Sequence, residues 1–502
     1  QVIGGIHSEY LYDLKATPDY GFLLIGSSFS GKTGNKAASS QGDLDYFLWK
    51  MNESGHLEWQ KSLGGSSNDF LYSASITQEG GFILGGSSNS PLSGDKKAEG
   101  FGAMDYWVVK LNPEGEEEWQ ITLGGTGNDL LKTIQQTPDG GYIIGGSSDS
   151  PFIYDENKVL IGNKNAEHRG SYDFWLVKLN SIGEIEWQKS YGGNFSDELQ
   201  DILLIEDGYL IGGNSNSIKD TGNKTSPNYG QSDYWVIKLD FSGNEIWQKT
   251  YGGKGEDNLS NLLKTEKGYL LSGSSTSDIF IDGGKSSNSK GRGDFWVLEI
   301  DEDGEVLWDV NYDIGLRDVL VTAVKDKEGG YLLGGYSDTE GKGFKDYIAI
   351  KINSKGEKIW EKILGGRGND YLKGMVEMRD GGYLLAGYSD SPKSDDKDRS
   401  SIGGSDYWLI KLGNENKIAE ERKLVEIYPN PTYQFVNIIV SEDFKEGAVD
   451  VFDMNGRKLQ TKKVSYRSVV VDLQSYPPGV YILKVKIDDK TEDVKIIKKG
   501  SK

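Results

Sequence analysis

The chain has 502 residues, too many for one ordinary hydrophobic core, so its length predicts two domains or an array of repeats. Its net charge is −21, and the acidic excess lies before residue 421, which argues against nucleic-acid binding because such a body repels phosphate backbones. The absence of cysteine excludes disulfides, thiolate metal sites and a cysteine nucleophile.

Neither a leader peptide nor an apolar run of membrane-spanning length is visible in the sequence. The chain begins with Gln1 rather than methionine, so we expect that it has been processed.

Residues 1–412 are dominated by a repeated phrase, an Asp followed by an aromatic residue and then a second large apolar residue, usually Trp. The copies are 52 to 68 residues apart, and each leads into an apolar stretch. They begin at Asp45, Asp105, Asp173, Asp233, Asp294, Asp346 and Asp406. A period of this length indicates a repeat architecture.

Two further phrases recur with the same period. One holds a Trp before a Gly-Gly pair, at Trp59, Trp119, Trp187, Trp247, Trp308 and Trp360. The other is a turn near Gly21, Gly80, Gly140, Gly208, Gly268, Gly329 and Gly381. Each unit is therefore predicted to hold four short strands, in the second unit at about 68–77, 81–88, 105–112 and 117–124. Seven such units predict an all-β fold, a seven-bladed β-propeller of four-stranded blades over residues 1–412.

The two ends of the repeat region complement each other. The last repeat stops after Leu412 and lacks a fourth strand, whereas Gln1-Val2-Ile3-Gly4-Gly5 matches the end of one. We expect these segments to pair, because pairing closes the ring and hides an open sheet edge.

The repeated residues favour structural roles. Trp residues at equivalent blade positions are expected to pack blade on blade rather than to stack on sugars. The repeated Asp is expected to cap backbone amides at turns.

Function is expected in the loops between the second and third strands of each unit, which should emerge on one face. These loops span about 27–44, 88–104, 148–172, 214–232, 274–293, 336–345 and 388–405. Two of these loops carry apolar or charged residues that a solvated linker does not need. These residues are candidates for ligand contact. The candidates are Phe152, Tyr154, Asp155, Glu156, His168, Arg169 and Phe280. The alternative is that the loops are solvated linkers.

No catalytic residue can be assigned from the sequence. There is no nucleophile elbow with a histidine partner, and 77 acidic residues hide any glycosidase pair. Three histidines do not make a His-rich metal site, and no EF-hand loop is present, so no metal or cofactor is predicted. Calcium stays open as an alternative because the loops are rich in Asp, Asn and carbonyl oxygens.

The repeat pattern ends at Leu412. Residues 413–424 are polar and are predicted to form a linker. Residues 425–502 hold alternating segments separated by the turns Asp453–Gly456 and Pro477–Gly479, which predicts a small Ig-like β-sandwich of six or seven strands.

This last region resembles the type A C-terminal sorting domain of proteins exported by the Bacteroidetes type IX secretion system. The resemblance rests on Tyr428-Pro429-Asn430-Pro431, on 451–457, on Pro478-Gly479-Val480-Tyr481 and on the basic final strand. The earlier repeats are similar to propeller repeats carried by such proteins. The matching motif residues are Pro429, Asn430, Pro431, Asn455, Gly456, Gly479, Tyr481, Lys495, Lys498 and Lys499.

The resemblance implies passage through the periplasm and export through the type IX translocon, with an outer-membrane shuttle barrel receiving the sorting domain. The protein is then expected to be secreted or held at the cell surface, in association with the outer membrane. Members of this family commonly lose the sorting domain to a surface peptidase; whether this chain does stays open, and a cleavage would be expected in the linker at 413–424.

Three functions remain open from the sequence. The first is a non-catalytic protein that binds a glycan or protein on its loop face. The others are a surface glycan hydrolase or lyase, and a structural subunit of an outer-membrane complex.

Overall fold

The computed structural model describes residues 1–338, 343–413, 423–442 and 444–500. In this part of the chain the structure is built from β-strands, with one short 3₁₀ turn at Ile281–Gly283. The strands before the predicted linker are β1 (Val2–Ile3), β2 (Glu9–Ala16), β3 (Phe22–Ser28), β4 (Asp45–Met51), β5 (Leu57–Leu63), β6 (Asp69–Ile76), β7 (Phe82–Ser88), β8 (Asp105–Leu111), β9 (Glu117–Leu123), β10 (Asp129–Gln136), β11 (Tyr142–Ser148), β12 (Asp173–Leu179), β13 (Ile185–Tyr191), β14 (Asp197–Ile205), β15 (Gly208–Ser215), β16 (Asp233–Asp240), β17 (Glu245–Tyr251), β18 (Asp257–Lys264), β19 (Gly268–Ser275), β20 (Asp294–Asp301), β21 (Val306–Tyr312), β22 (Asp318–Lys325), β23 (Tyr331–Ser337), β24 (Asp346–Ile352), β25 (Lys358–Leu364), β26 (Asp370–Glu377), β27 (Tyr383–Ser389) and β28 (Asp406–Leu412).

These strands form seven four-stranded antiparallel sheets, the blades of a propeller. The first six blades are β2–β5, β6–β9, β10–β13, β14–β17, β18–β21 and β22–β25, each in chain order from the inside outwards. The seventh blade is β26–β28 completed by β1. The predicted fold class is confirmed, and the four strands predicted for the second unit agree with β6–β9 to within about a residue.

The N-terminus closes the ring as predicted. Val2 pairs with Trp408 and Ile3 with Tyr407, so β1 is the outer strand of the seventh blade. Ile3 is fully buried. The N-terminal strand thus completes the last blade by main-chain hydrogen bonds, and the chain then runs on into β2 of the first blade.

Blades pack on each other through the repeated aromatic residues. Tyr46 of the first blade lies against Trp107 of the second, with ring centroids 4.6 Å apart, and Tyr106 lies against Trp175 in the same way at 4.7 Å. Trp107 and Trp175 have no exposed surface. The predicted structural role of these tryptophans is confirmed, because each ring fills the gap that a single blade cannot cover.

The predicted capping role of the repeated Asp is also confirmed. Asp105 Oδ2 accepts hydrogen bonds from the amides of Phe101 (2.7 Å) and Gly102 (3.3 Å), and Asp173 accepts one from Arg169 (2.7 Å). Each such carboxylate ties the end of a long loop to the strand that follows.

Two faces of the propeller differ in their connections. The long loops leave from the ends of β3, β7 and their equivalents, and we call this the loop face. The short hairpin turns, such as those at 17–21 and 52–56, lie at the opposite end of the strands, and we call this the turn face.

The C-terminal module consists of seven strands in two sheets. They are β29 (Val425–Tyr428), β30 (Phe435–Val440), β31 (Gly447–Asp453), β32 (Lys458–Val464), β33 (Ser468–Asp472), β34 (Gly479–Ile487) and β35 (Lys490–Lys498). The sheet β29-β30-β33 faces the sheet β32-β31-β34-β35, and residues such as Val436, Ile438, Val449 and Leu483 form the buried core between them. The predicted sandwich is confirmed. Most of the predicted linker lies outside the described residues.

The C-terminal module packs against the turn face. Glu426 accepts hydrogen bonds from Tyr20 and Arg379, and the Arg379 guanidinium lies 4.3 Å from the centre of the Tyr20 ring. Arg467 pairs with Glu53 at 3.7 Å. The loop face therefore stays free of the module.

Candidate functional site

A cavity of about 320 Å³ lies on the propeller axis. Every blade contributes to its wall, because the innermost strands β2, β6, β10, β14, β18, β22 and β26 surround it. We call it the central channel. The fourth residue of each innermost strand is among the lining residues, namely Tyr12, Tyr72, Lys132, Gln200, Ser260, Val321 and Lys373. This position varies from blade to blade, whereas the preceding Leu is buried between blades in all seven strands.

Two lysines in the channel form no ion pair with the described residues. Neither the Lys132 nor the Lys373 ammonium makes an ion pair or hydrogen bond with the part of the chain that the structure describes. Burial lowers the pKa of Lys373 to about 8, and the charge of Lys132 adds to this effect. Burial also lowers the pKa of Lys132, although Asp201 and Glu198 oppose the change. The Lys132 side chain is exposed within the channel and that of Lys373 is half-buried, so two ammonium groups that repel each other are accessible to a negatively charged group.

The other charged groups of the channel are already paired. Lys15 lies 2.9 Å from Asp13. Asp201 accepts hydrogen bonds from the side chain of Asn261 (2.9 Å) and the amide of Leu262 (2.9 Å) in the next blade. Burial raises the pKa of Asp201 to about 6. Asp201 thus links neighbouring blades, whereas the Asp13–Lys15 pair lies within one strand.

Aromatic rings surround one half of the channel toward the loop face. Tyr336, Tyr371, Tyr388 and Tyr10 follow one another in edge-to-face or tilted contact, with centroids 5.0, 5.0 and 5.2 Å apart. We call these four residues the aromatic arc. The Lys373 ammonium lies 5.9 Å from the Tyr336 ring and 5.7 Å from the Tyr388 ring. The aromatic arc therefore lies directly beside the Lys373 ammonium.

The opposite half of the channel is polar. Glu198 and Asn258 are exposed there, and Gln200 and Ser260 line the cavity below them. Because all four arc residues keep part of their surface accessible, the mouth of the channel offers flat apolar rings on one side and hydrogen-bonding groups on the other. Such a surface can hold a ring-shaped polar ligand that carries negative charge.

The loop candidates predicted from the sequence lie elsewhere on the loop face. Phe152, Tyr154, Asp155 and Glu156 are exposed on a small hairpin in the third blade's loop, closed by the bridge between Tyr154 and Leu160. None of them lines the central channel. Their contact role stays a prediction.

The remaining loop candidates make local contacts. His168 Nδ1 lies 3.3 Å from Asp173, and Arg169 pairs with Glu167 at 2.5 Å. Phe280 packs on Tyr229, with ring centroids 5.2 Å apart. These contacts hold the loops in place, and a ligand role for these residues also stays a prediction.

The loops are anchored by a feature that our sequence analysis missed. In four loops a Gly, an Asn or Asp and a Lys follow each other, at 34–36, 94–96, 162–164 and 222–224, and in each copy the Lys is buried. Lys36 Nζ donates to Ser28 Oγ (2.9 Å) and Ser40 Oγ (3.1 Å). A repeated buried lysine is incompatible with a simple solvated linker, and the recurring tripeptide was the signal that could have revealed it.

In the C-terminal module the motif residues bring both ends of the fold together. Asn430 donates to the carbonyl of Lys495 (2.9 Å) and accepts from the amide of Ile497 (3.0 Å). Lys498 is buried and donates to the carbonyl of Gln474 (3.0 Å), whereas Lys495 and Lys499 are exposed. The early Asn-Pro motif therefore fixes the final strand β35.

The other motif residues form two turns. Asp453 Oδ1 accepts the amides of Asn455 (2.9 Å) and Arg457 (3.0 Å), and Gly456 takes a left-handed conformation (φ 78°). Gly479 begins β34, and the Tyr481 hydroxyl donates to the carbonyl of Pro477 (2.5 Å). Pro429 and Pro431 flank Asn430 in the segment that meets β35.

Residues 426–499 match the family model described as the secretion system C-terminal sorting domain. The C-terminal module is a type IX secretion sorting domain. The predicted resemblance and the predicted export to the cell surface or the medium are thereby confirmed, since the sorting domain indicates interaction with the type IX machinery.

A weaker similarity extends over part of the chain. The regulatory protein FlaEY of Caulobacter vibrioides is 22% identical over 201 residues, which are 38% of this chain and 20% of FlaEY. The chain thus spans about a fifth of the length of that relative.

The solved structures that the chain matches share little sequence with it, and their TM-scores are below 0.5. The apocarotenoid oxygenase of Synechocystis (Glu150Asp mutant) is 12% identical, with a TM-score of 0.39 over 83% of this chain and 95% of that one. A family 43 arabinoxylan arabinofuranohydrolase of Bacillus subtilis is 9% identical, with a TM-score of 0.27 over 99% of this chain and 93% of that one. In the described part of this chain no helix has the length and apolar character needed to cross a membrane.

Proposed function

We propose that this exported protein is a non-catalytic binding protein that holds an acidic oligosaccharide at the loop-face mouth of its central channel. The observation that carries the proposal is that Lys132 and Lys373 share the channel beside the aromatic arc and make no ion pair with the described residues. The sorting domain supports a place of action outside the cell, where such glycans are found.

The chemistry of the mouth favours a sugar acid over a neutral sugar. The rings of the arc offer flat apolar surface for the faces of sugar rings, and the polar half offers donors and acceptors for hydroxyl groups. A carboxylate or sulfate on the sugar would relieve the repulsion between Lys132 and Lys373. A neutral sugar would leave the repulsion between the two ammonium groups unrelieved.

The channel carboxylates give little support for hydrolysis. A glycosidase needs one carboxylic acid and one carboxylate placed about the scissile bond. Asp201 is held by donors from its neighbouring blade, and Asp13 is paired with Lys15. Both are therefore committed to holding the channel wall.

The orientation of the sorting domain supports the same proposal. It packs on the turn face through Glu426 and Arg467, so the mouth can meet its ligand while the domain engages the export machinery. We propose that the domain docks to an outer-membrane barrel during export.

A screen of the full chain against paired acidic and neutral oligosaccharides, with chromatography of the products, tests the proposal. We expect binding of the acidic member of each pair and recovery of the intact oligosaccharide. Shortened products would replace the proposal with the hydrolase alternative, and binding of neither member would refute it.

A further inference from the structure

One blade junction departs from the repeat. At six junctions the residue after the outer strand is Gly, at Gly4, Gly64, Gly124, Gly192, Gly252 and Gly365. A Cβ at any of these positions would lie 1.7–2.2 Å from Oδ1 of the Asp that caps the loop. Between the fifth and sixth blades the equivalent residue is Asp313. The chain therefore places a carboxylate where the other repeats leave no room for a side chain.

Asp313 completes a group of three carboxylates. One oxygen each from Asp294, Asp313 and Asp318 lies within 4.8 Å of the others. Two oxygens on opposite sides of one calcium ion, each about 2.4 Å from it, are about 4.8 Å apart. The spread of the three oxygens therefore suits a single calcium ion.

Asp294 supplies the second observation. Its side chain is 1% exposed, and Oδ1 has no hydrogen-bond partner in the described structure, whereas Oδ2 accepts from the amide of Lys290 (2.9 Å). In the other junctions the same Oδ1 points at the Gly position. The equivalent Oδ1 atoms of Asp45, Asp105, Asp173, Asp233 and Asp406 are likewise buried without a partner in the described structure, but each faces a Gly. At this junction Asp313 takes the place of the Gly, and one of its oxygens lies within 4.8 Å of an oxygen of Asp294.

The charges nearby leave the group undercompensated. Burial raises the pKa of Asp294 to about 6, and the charges of Asp313 and Asp318 add to the rise. Lys290 lies 3.2 Å from Asp313, but its side chain is 74% exposed and can turn away into solvent. Lys285 is buried nearby and donates to Asn311 Oδ1 (2.8 Å) rather than to the carboxylates.

We propose that Asp294, Asp313 and Asp318 bind a calcium ion at the junction between the fifth and sixth blades. Asp294 and Asp318 are buried at the starts of β20 and β22, so they form the fixed part of the site. Asp313 is exposed at the rim, where water can complete the coordination shell.

The test is calorimetric titration of calcium chloride into the full chain after dialysis against a chelator. The wild-type protein is expected to bind one calcium ion and to unfold at a higher temperature when calcium is present. Asp313→Gly restores the residue found at the other six junctions, so it should fold, and it is expected to bind calcium at least tenfold more weakly. Asp303→Asn, which changes an exposed acid in the same blade, should bind like the wild type.

The proposal is overturned if the wild-type protein shows neither binding heat nor a change in unfolding temperature with calcium. It is also overturned if Asp313→Gly binds calcium as tightly as the wild type.

Discussion

The hydroxyl of Tyr407, in the last blade, donates a hydrogen bond to the carbonyl of Phe47, in the first blade, at 3.3 Å. The same bond joins Tyr46 to Trp107 (2.9 Å) and Tyr347 to Trp408 (3.1 Å) at internal junctions. The junction that closes the ring is thus built like those within it, although its partners are 360 residues apart. Because each blade is stabilised by its neighbours, closure matters for the whole ring.

Ring closure by β1 predicts a large effect of a single truncation. Ile3→Ala removes a fully buried side chain between the first and last blades and should lower the free energy of unfolding by about 2–4 kcal/mol. Thermal and denaturant unfolding of the full chain measure this. Ile6→Ala, at a residue that is 57% exposed, is the matched control and should change little. Equal effects of the two substitutions would contradict closure by β1.

The buried carboxylates predict that stability falls as pH rises. Burial raises the pKa of Asp105 to about 6 and that of Asp233 to about 7, from an ordinary value of 3.8. The folded state therefore binds these protons more tightly than the unfolded state does. The resulting stabilisation is complete below about pH 4 and is lost as pH rises through 6 to 7. The unfolding temperature, measured by calorimetry at constant ionic strength, should be higher at pH 5 than at pH 8.

A substitution isolates one of these groups. Asp105→Asn keeps an oxygen that can accept from the amides of Phe101 and Gly102 but carries no charge. Its unfolding temperature should change less between pH 5 and pH 8 than that of the wild type. A variant with the full wild-type pH dependence would show that Asp105 does not contribute.

Asn430 predicts a link between the sorting motif and the stability of the sorting domain. Asn430→Ala removes two hydrogen bonds to β35, each contributing about 1 kcal/mol, and should lower the stability of the domain by about 1–3 kcal/mol. Export from a bacterium with a type IX system should fall in parallel. Asn455→Ala is the control, since its contact to Asp453 uses the backbone amide and is kept. Normal export and stability of Asn430→Ala would refute the role of Asn430 in holding β35.

The propeller could be predicted from the sequence because the same motifs recur in every blade. Seven copies of the Asp-aromatic phrase fixed the blade number, and the unmatched ends at Val2 and Leu412 indicated how the ring closes. The motif around Asn430 identified the sorting domain by resemblance, and its contact with β35 gives that motif a physical role.

The central channel was not predicted because the residues that distinguish it do not recur from blade to blade. Lys132 and Lys373 are 241 positions apart and lie on strands whose remaining residues follow the repeat, so neither stands out when the chain is read in order. Only the ring brings them to one cavity. Aligning the innermost strands would have shown a variable fourth position beside an invariant Leu, and such variation on a fixed scaffold is where a specific site can arise.

Ligand binding should depend on pH through Lys373. Its pKa is lowered to about 8, so the ammonium loses its charge as pH rises through that value and the attraction for an anion is lost. Affinity for an acidic oligosaccharide should fall between pH 7 and pH 9, as measured by calorimetry in buffers of equal ionic strength. Affinity that stays constant over this range would show that Lys373 does not hold the anion.

The most direct measurement is a calorimetric titration of an oligomer of glucuronic acid into the wild-type protein and into a Lys132→Met/Lys373→Met double variant. The control variant is Lys97→Met, which removes an exposed loop-face lysine paired with Glu117. We predict that the wild type and the control bind equally and that the double variant, with an unchanged unfolding temperature or a higher one, binds at least tenfold more weakly. Binding by the double variant as tight as that of the wild type would contradict the central claim that the channel lysines hold the ligand.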